Sequence, residues 1–349
     1  MGKRYKKNEK KPINKKKRAL IVVTVIVIII GLVFGIPYYM INRQFSKINT
    51  TTISRDNSKL GIDSNAYNEK NKELQNDYIN ILLMGVDARA VDQDARSDSM
   101  MIATIDKKHN KIKLSSLMRD MIVDMTGHGP MEGLNQDRLT HTYAYGKGEL
   151  TLKTINENFK MNIKNFVEVD FFGLEKIIDQ VGGVEINVTS EEVPYLNSYV
   201  KEVANIEKVK PTLVTKPGLQ LLNGKQAVGY ARIRYVGKSD FQRTERQRTV
   251  LTKMVEKLSK MNLLELNTAI GEMLPNVTTT MDRSDIISLS KDVLLKKINK
   301  VDQLRIPIDG HNSTIYVRNT YFLGWDKKEN IEALHKFIYE EDYNEESIK

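Results

Sequence analysis

Several short segments of this chain place arginines and aspartates at the ends of apolar runs. Gly85-Val86-Asp87-Ala88-Arg89 closes one run and Arg96-Ser97-Asp98-Ser99-Met100 opens the next. Arg119-Asp120 ends a third, and Arg232-Ile233-Arg234 comes later, ahead of Asp240-Phe241-Gln242-Arg243-Thr244-Glu245-Arg246-Gln247. Two carboxylates facing guanidinium forks can hold a divalent cation and a phosphorylated substrate together. Asp87 and Asp98, at the facing ends of adjacent strand segments, suit Mg2+, which takes one or two protein carboxylates and keeps water and phosphate oxygens for the rest of its shell. A turn cap at Asp98 and a local Asp87–Arg89 pair would use the same residues without a metal. Arg232 and Arg234 lie two apart, so an extended backbone turns both to one face. Arg243, Arg246 and Gln247 share one face of a helix, although ordinary solvated pairs account for Arg246 and Arg248 equally well. Arg119, at the end of an apolar segment, needs a partner. Mg2+ with two aspartates is neutral, which leaves guanidinium charge for an anion such as a diphosphate diester.

The elements that must position these groups read as an alternation of strands and helices. Ile79–Val86 is a nearly continuous apolar run of strand length, suited to a strand buried on both faces. Met100–Ile105 and Lys111–Met118 read as two more strands, joined through the polar turn 106–110. Asp137–Tyr145 and Leu150–Phe159 read as helices separated at Gly146 and Gly148. Phe166–Phe171 alternates as a strand. Leu174, Ile177, Ile178 and Val181 then form an i, i+3, i+4, i+7 stripe that Gly182-Gly183 ends. Val184–Val188 is a further strand. Residues 190–220 carry no clear periodicity and read as an inserted, mobile surface region. Helices follow over Arg243–Lys260, Leu263–Met273 and Ser284–Lys297, late strands over Leu304–Ile308 and Thr314–Val317, and a closing helix over Asn330–Tyr339. The expected fold is a three-layer α/β/α domain with a central mixed sheet. Asp87 falls at the carboxyl edge of a strand, where open α/β sheets place their ligands.

Charge and hydropathy place this domain outside a membrane. The chain has 349 residues and a formal net charge of +10. Residues 1–18 hold ten Lys/Arg and one acid, leaving 44 basic against 43 acidic residues elsewhere. The near-neutral remainder offers no basic face, which argues against a nucleic-acid partner. Ala19 to Ile41 carries no charge and, at 1.5 Å per residue, spans roughly 34 Å, enough for a hydrocarbon core. Tyr38 and Tyr39 sit where an aromatic belt belongs, and the basic cluster keeps the N-terminus inside. No small-residue cleavage site of the A-x-A type follows, so the span reads as a retained signal-anchor. Residues 42–76 are polar and read as an extracellular stalk, leaving 77–349 as the extracellular folded domain. The chain has no cysteine, so an exported domain depends on its core for stability.

Other chemistries are excluded by what is missing. The five histidines, His109, His128, His141, His311 and His335, include no pair at zinc spacing. Neither the G-x-x-x-x-G-K-[ST] phosphate loop nor a G-x-S-x-G elbow occurs. His141, on an expected helix with Tyr143, either lines the site or packs. The methionines from Met118 to Met125 read as core.

With these residues in view, the sequence resembles the LytR–CpsA–Psr family of bacterial cell-wall glycopolymer ligases. The resemblance runs over residues 78–260, with 261–349 as a C-terminal helical extension. It rests on the segments above together with Ser116–Asp120, Arg138-Leu139-Thr140-His141, Asp170-Phe171-Phe172-Gly173, Gly182-Gly183-Val184 and Tyr230–Arg234. It implies a phosphotransferase moving a secondary cell-wall polymer (teichoic acid, capsule or a related polysaccharide) from a polyprenyl diphosphate carrier onto peptidoglycan, with release of polyprenyl phosphate. In those terms Asp87 and Asp98 hold Mg2+, or Mn2+ in its place. Arg89, Arg96, Arg119, Arg138, Arg232, Arg234, Arg243 and Gln247 surround the diphosphate. Arg119, Asp87 and Asp98 are the implied catalytic groups. An arginine with a pKa above 12 is a poor base, so Arg119 is expected to stabilise charge while the acceptor proton passes to Asp87 or Asp98. Met118 stands where the family commonly has proline, and Arg138 where lysine is frequent. Two rival readings use the same residues: a hydrolase of polyprenyl diphosphate-linked glycans, and a membrane-anchored cell-envelope regulator without turnover.

Overall fold

The computed structural model describes residues 49–63, 74, 76–87, 95–125, 127–128, 135–237, 239–295, 298 and 300–340. The expected basic tail, the anchor at 19–41 and Arg89 lie outside them. Among the described residues no helix is long and apolar enough to cross a membrane.

An α/β domain is built on a seven-stranded mixed sheet. Its order is β1 (Asn49–Thr50), β10 (Thr278–Thr279), β7 (Asn165–Asp170), β2 (Tyr78–Val86), β3 (Ser97–Asp106), β4 (Lys111–Leu117), β11 (Lys300–Ile306). β2 pairs parallel with β7 and antiparallel with β3. β4 is antiparallel to β3 and parallel to β11. The carboxyl ends of β2, β4, β7 and β11 therefore meet the amino end of β3 at one edge. That edge carries Asp87, Asp98 and Arg119.

The remaining strands form three two-stranded ribbons: β5 (Ile122–Asp124) with β6 (Gln136–Arg138), β8 (Val184–Val188) with β9 (Gly218–Leu222), and β12 (Asn312–Val317) with β13 (Thr320–Trp325). Helices α1 (His141–Phe159), α2 (Phe171–Gln180), α3 (Val193–Glu207), α4 (Gly224–Arg232) and α5 (Asp240–Leu258) are followed by α6 (Leu263–Met273), α7 (Arg283–Leu295) and α8 (Lys327–Tyr339). α1 is broken at Gly146 and Lys147, which leave helical geometry. Two helical pieces were expected here, but Asp137 and Arg138 belong to β6 and not to the first of them. α2 starts on Asp170, whose Oδ1 accepts the Gly173 N–H at 2.6 Å. It stops at Gly182-Gly183, both at positive φ (74° and 78°), a turn that glycine adopts without steric cost.

Two apolar clusters hold the domain together. One joins Leu82, Met84, Val86, Met100 and Ile102 of the sheet to Leu152, Ile155 and Phe159 of α1 and to Leu334 and Ile338 of α8, with Met118, Met121 and Met125 inside it. The other joins α2, α3 and α4 to the β8–β9 ribbon and to Val250 and Met254 of α5.

Three expectations are corrected. Residues 49–63 are not stalk, because β1 pairs with β10 and Leu60 and Ile62 are buried in the first cluster. Residues 190–220 are not an irregular insertion. They contain α3, whose Leu196, Tyr199, Val200 and Val203 form a buried i, i+3, i+4, i+7 stripe, and β9. The C-terminal part is not the helical extension that the resemblance implied, and it carries the late strands expected from sequence as β11 and β12. It supplies an edge strand of the main sheet and the β12–β13 ribbon, which docks through Leu323 N–H to the Asp120 carbonyl (2.9 Å) and Trp325 Nε1 to the Ile122 carbonyl (2.7 Å).

Candidate active site

The meeting of β2 and β3 shapes the site first. Gly85 pairs with Ser99 and Val86 with Ser97, so the register skips one residue of β3. Asp98 is that residue. A bulge of this kind re-aims one side chain out of the pleat. A Cβ on Gly85 would lie 3.1 Å from that of Ser99, a close approach that only glycine meets without adjustment. One step on, the Asp87 N–H donates to the Arg96 carbonyl at 3.1 Å, which places both aspartates at the same sheet edge.

Arg119 follows β4, held there because its carbonyl accepts the Thr140 N–H at 2.9 Å. Its Nη1 donates to Asp98 Oδ1 at 2.6 Å. Its Nε lies 3.4 Å from both Asp120 Oδ2 and Asp240 Oδ2 yet makes no hydrogen bond of proper geometry. Arg234 reaches Asp98 Oδ2 at 3.4 Å and, through Nε, Asp240 Oδ1 at 3.8 Å. Arg243, one turn into α5 and 5% exposed, brings Nη1 to 3.3 Å from Asp240 Oδ1. Three guanidinium groups and three carboxylates are thus interleaved around Arg119.

The electrostatics follow from burial and crowding. Burial pushes Arg243 down to about 10, against the pull of Asp240 and Asp98 and with help from the neighbouring Arg119 and Arg234 charges. Arg119 moves the other way. Its burial is outweighed by Asp120, Asp98 and Asp240, which hold it above its ordinary value. Burial raises Asp120 despite Arg119, and the Asp240 carboxyl, within hydrogen-bond reach, raises it further. Among the described residues, buried polar atoms of Arg119 (Nε), Arg243 (Nε), Gln247 (Oε1) and Asp240 (Oδ1) have no hydrogen-bond partner. Unsatisfied buried donors on cations are what an incoming phosphate oxygen would meet.

Other expected residues lie around this core. Arg96 is exposed at the start of β3. Arg232 ends α4 and is not on an extended strand with Arg234. Its guanidinium stacks over Phe171 (4.2 Å) and Tyr199 (5.0 Å). Arg138 turns toward the β12–β13 ribbon, donating Nε and Nη2 to the Tyr321 carbonyl at 3.0 and 2.6 Å, with Nε 3.9 Å from Asp120. Gln247 lies one turn beyond Arg243 on α5. His141 Nδ1 bonds Asp137 Oδ2 at 2.8 Å.

Two carboxylates of this cluster, Asp120 and Asp240, were not named as site residues from sequence. Each sits beside or three residues from an arginine and reads as its local counter-ion. Arg246 is a correction. It is not solvated but 3% exposed, with Nε on Glu192 Oε1 at 2.7 Å and Nη1 and Nη2 on the carbonyls of Ile233 (3.2 Å) and Val236 (3.1 Å). It therefore splints the loop that carries Arg234. Arg248 is buried too and donates Nε to Gln303 at 3.1 Å.

A metal at this edge fits the donors present. A carboxylate has two oxygens and about four lone-pair sites, so Asp98 can accept guanidinium bonds and still offer a hard oxygen ligand alongside Asp87. Asp106, His109 and Glu340 also come close enough to hold an ion, but at the opposite edge of the sheet. There Lys113 Nζ lies 2.8 Å from Asp106 Oδ2 and 3.1 Å from Glu340, and Lys111 also pairs with Glu340. Two ammonium groups already neutralise that cluster.

The LytR_cpsA_psr family model matches residues 37–337. The chain belongs to the LytR–CpsA–Psr family. It is 27% identical over 312 residues, 88% of this chain and 75% of the relative, to the polyisoprenyl-teichoic acid–peptidoglycan teichoic acid transferase TagV of Bacillus subtilis (strain 168). It is 31% identical over 220 residues, 61% of this chain and 63% of the relative, to TagT of the same organism and of the same described activity. Among solved structures, the LytR-CPS2A-psr protein YwtF (TagT) with bound octaprenyl pyrophosphate lipid matches with a TM-score of 0.57 at 21% identity, covering 82% of this chain and 99% of that one.

Proposed function

We propose that this chain transfers a teichoic-acid-type glycopolymer from a polyprenyl diphosphate carrier to peptidoglycan. The observation that carries the reading is the interleaved Asp98–Arg119–Asp240 cluster, in which the buried Nε of Arg119 and of Arg243 find no hydrogen-bond partner among the described residues, at a sheet edge that also offers Asp87. Relatives described as teichoic acid transferases support the substrate class. In this reading an acceptor sugar hydroxyl attacks the sugar-proximal phosphorus. The phosphoanhydride bond breaks, polyprenyl phosphate leaves with the bonding pair, and the hydroxyl proton passes to a carboxylate.

Each residue has a task in that sequence. Arg119, Arg234 and Arg243 bind and neutralise the diphosphate, with Arg89, Arg96, Arg138, Arg232 and Gln247 around them. Arg119 follows charge developing on the phosphoryl oxygens. The Asp120–Asp240 pair, beside Arg119, is placed to take the proton, a task that sequence had assigned to Asp87 or Asp98. A carboxyl held above its ordinary range is a better base near neutral pH. Asp87 and Asp98 would hold Mg2+ or Mn2+, which when bound would neutralise diphosphate charge and polarise the phosphorus.

The anchor reading completes the proposal. Residues 1–18 lie inside, 19–41 span the membrane, and the catalytic domain with its sheet as the middle of three layers lies outside, where peptidoglycan is. The charge step at Arg18 and the uncharged span that follows support this orientation. The test incubates the full chain in lipid vesicles with a lipid-linked glycan and peptidoglycan, following both products by mass spectrometry. Joint appearance of polymer-linked peptidoglycan and polyprenyl phosphate is expected. Free phosphoglycan and polyprenyl phosphate without polymer-linked peptidoglycan would establish hydrolysis, and binding without any product would establish a non-catalytic role.

A further inference from the structure

Behind the loop that carries Arg234 lies a surface recess of about 340 Å³. Its walls are Thr189, Ser190, Glu191 and Gln242, and its floor is the buried Glu192–Arg246 pair. The floor is rigid, since Glu192 also accepts the Thr189 N–H at 2.9 Å and Arg246 holds two loop carbonyls. Two exposed aromatic rings neighbour its lining in the chain, Tyr235 directly before Val236 and Tyr195 three residues after Glu192. Tyr235 is 81% and Tyr195 42% exposed, and their centroids are 5.9 Å apart at 33°. Large exposed rings beside a concave polar surface are informative in a way that scattered ones are not.

We infer that this recess is a pyranose-binding subsite, in which a sugar ring stacks its C–H face on Tyr235 and Tyr195 while its hydroxyls bond Thr189, Ser190, Glu191 and Gln242. The inference rests on the proposed transferase reading and deepens it. A pyranose has an apolar face and a rim of hydroxyls that both donate and accept, which matches aromatic rings flanking hydroxyl, amide and carboxylate groups. The carboxylate of Glu191 at the rim disfavours phosphate, so the recess does not extend the diphosphate site. Continuity with the reacting centre is short. Tyr235 directly follows Arg234, about 3.8 Å along the backbone, and Gln242 lies in the same first turn of α5 as Asp240 and Arg243. The recess and the reacting centre thus share the Arg234–Val236 loop and the first turn of α5.

That sugar belongs either to the peptidoglycan acceptor or to the linkage unit of the donor, and the experiment separates the two. The full chain in detergent is titrated by calorimetry with two phosphate-free probes, a muramidase-released peptidoglycan disaccharide peptide and the dephosphorylated linkage disaccharide of the donor. Transfer kinetics are then measured with each substrate varied. Tyr235→Ala and Tyr195→Ala are expected to weaken one probe, and raise KM for the corresponding substrate, about two- to tenfold with kcat kept. Tyr235→Phe, which keeps the ring, should behave as wild type, as should Leu219→Ala on the exposed face of β9. The probe affected names the source of the sugar. Failure of the wild type to bind either probe, unchanged KM for both substrates, or equal damage from Tyr235→Phe and Tyr235→Ala would overturn the subsite. Sugar binding intact in a wild type that transfers nothing would instead overturn the transferase reading and leave the subsite standing.

Discussion

Arg119→Ala is the substitution that most directly tests the division of roles at the site. Arg119 is 21% exposed on its side chain and touches three carboxylates, Asp98 at 2.6 Å and Asp120 and Asp240 at 3.4 Å each. Its raised pKa, set against burial by those three neighbours, keeps it charged at any working pH. A preorganised charge aimed at developing negative charge contributes roughly 3–4 kcal/mol, or about a hundred- to thousandfold in kcat. Because Arg234 and Arg243 remain to bind the ground-state diphosphate, KM for the lipid substrate should move by less than about threefold. Interactions made only in the transition state lower kcat when removed, whereas uniform binding interactions raise KM. Arg119→Lys should rescue poorly, because one ammonium cannot reach Asp98 on one side and Asp120–Asp240 on the other as the fork does. Arg232→Ala, which removes a guanidinium stacked on Phe171 and Tyr199, should raise KM first. The assay is steady-state transfer of a labelled lipid-linked glycan, with circular dichroism confirming the fold. Normal kcat in Arg119→Ala, or a loss carried wholly by KM, would refute the assignment.

Three further outcomes are expected. Asp87→Asn and Asp98→Asn should each abolish most metal-dependent turnover while the thermal transition persists, and activity that survives excess chelator would remove the metal from the reading. If Asp120 and Asp240 take the acceptor proton, the acid limb of kcat/KM should lie above the ordinary aspartate range, since burial and Asp240 raise Asp120. Activity then falls as pH drops through that limb, Asp120→Asn should displace it, and an identical profile in the variant would return the base role to Asp87 or Asp98. His335 donates Nε2–H to the Phe159 carbonyl at 2.9 Å, and burial pushes it down to about 4 from 6.5. Its contribution is therefore present above pH 6.5 and lost, by about 3 kcal/mol, as pH falls toward 4; His335→Gln should lose less stability over that window by calorimetric Tm, and equal losses would count against it.

How far the fold is legible depends on whether burial is written locally. β2, β3 and β4 announce themselves as apolar runs, and α2 as a stripe of Leu174, Ile177, Ile178 and Val181, because each faces a cluster along its whole length. Residues 190–220 mislead for a definite reason. In β9, Leu219 and Leu221 point to solvent, 71% and 58% exposed, so its apolar alternation marks the wrong face. In α3 the stripe Leu196, Tyr199, Val200, Val203 is present but interrupted by Asn197 and Ser198, and its Asn197 is spent on the Val214 backbone at 2.8 and 2.9 Å. Residues 49–63 offer only Ile53, Leu60 and Ile62, too sparse for a pattern. Their burial comes from contacts such as Asn156 Nδ2 to the Leu60 carbonyl at 2.8 Å, 96 positions away.

The site divides along the same line. Asp87, Asp98 and Arg119 are legible because a carboxylate or guanidinium at the end of an apolar run has to be positioned for something, and the sheet brings those ends to one edge, which Arg234 and Arg243 reach from the loop after α4 and from α5. Position in the run does not say which partner a charge will find. Asp98 reads as a turn cap until the skipped register between Gly85–Ser99 and Val86–Ser97 shows it re-aimed by a bulge. Asp120 and Asp240 sit beside or three residues from an arginine, yet both come to Arg119 Nε at 3.4 Å and within reach of each other. Arg246 reads as a solvated helix residue because its partner Glu192 lies 54 positions earlier, at the threshold of α3. Breaking a buried pair of that kind strands a charge and typically costs about 3–5 kcal/mol, so the pair ties α5 and α3 to the Ile233–Val236 loop. The same contact that hides Arg246 from sequence reading therefore sets where Arg234 meets Asp98 and Asp240, and where Tyr235 stands relative to them.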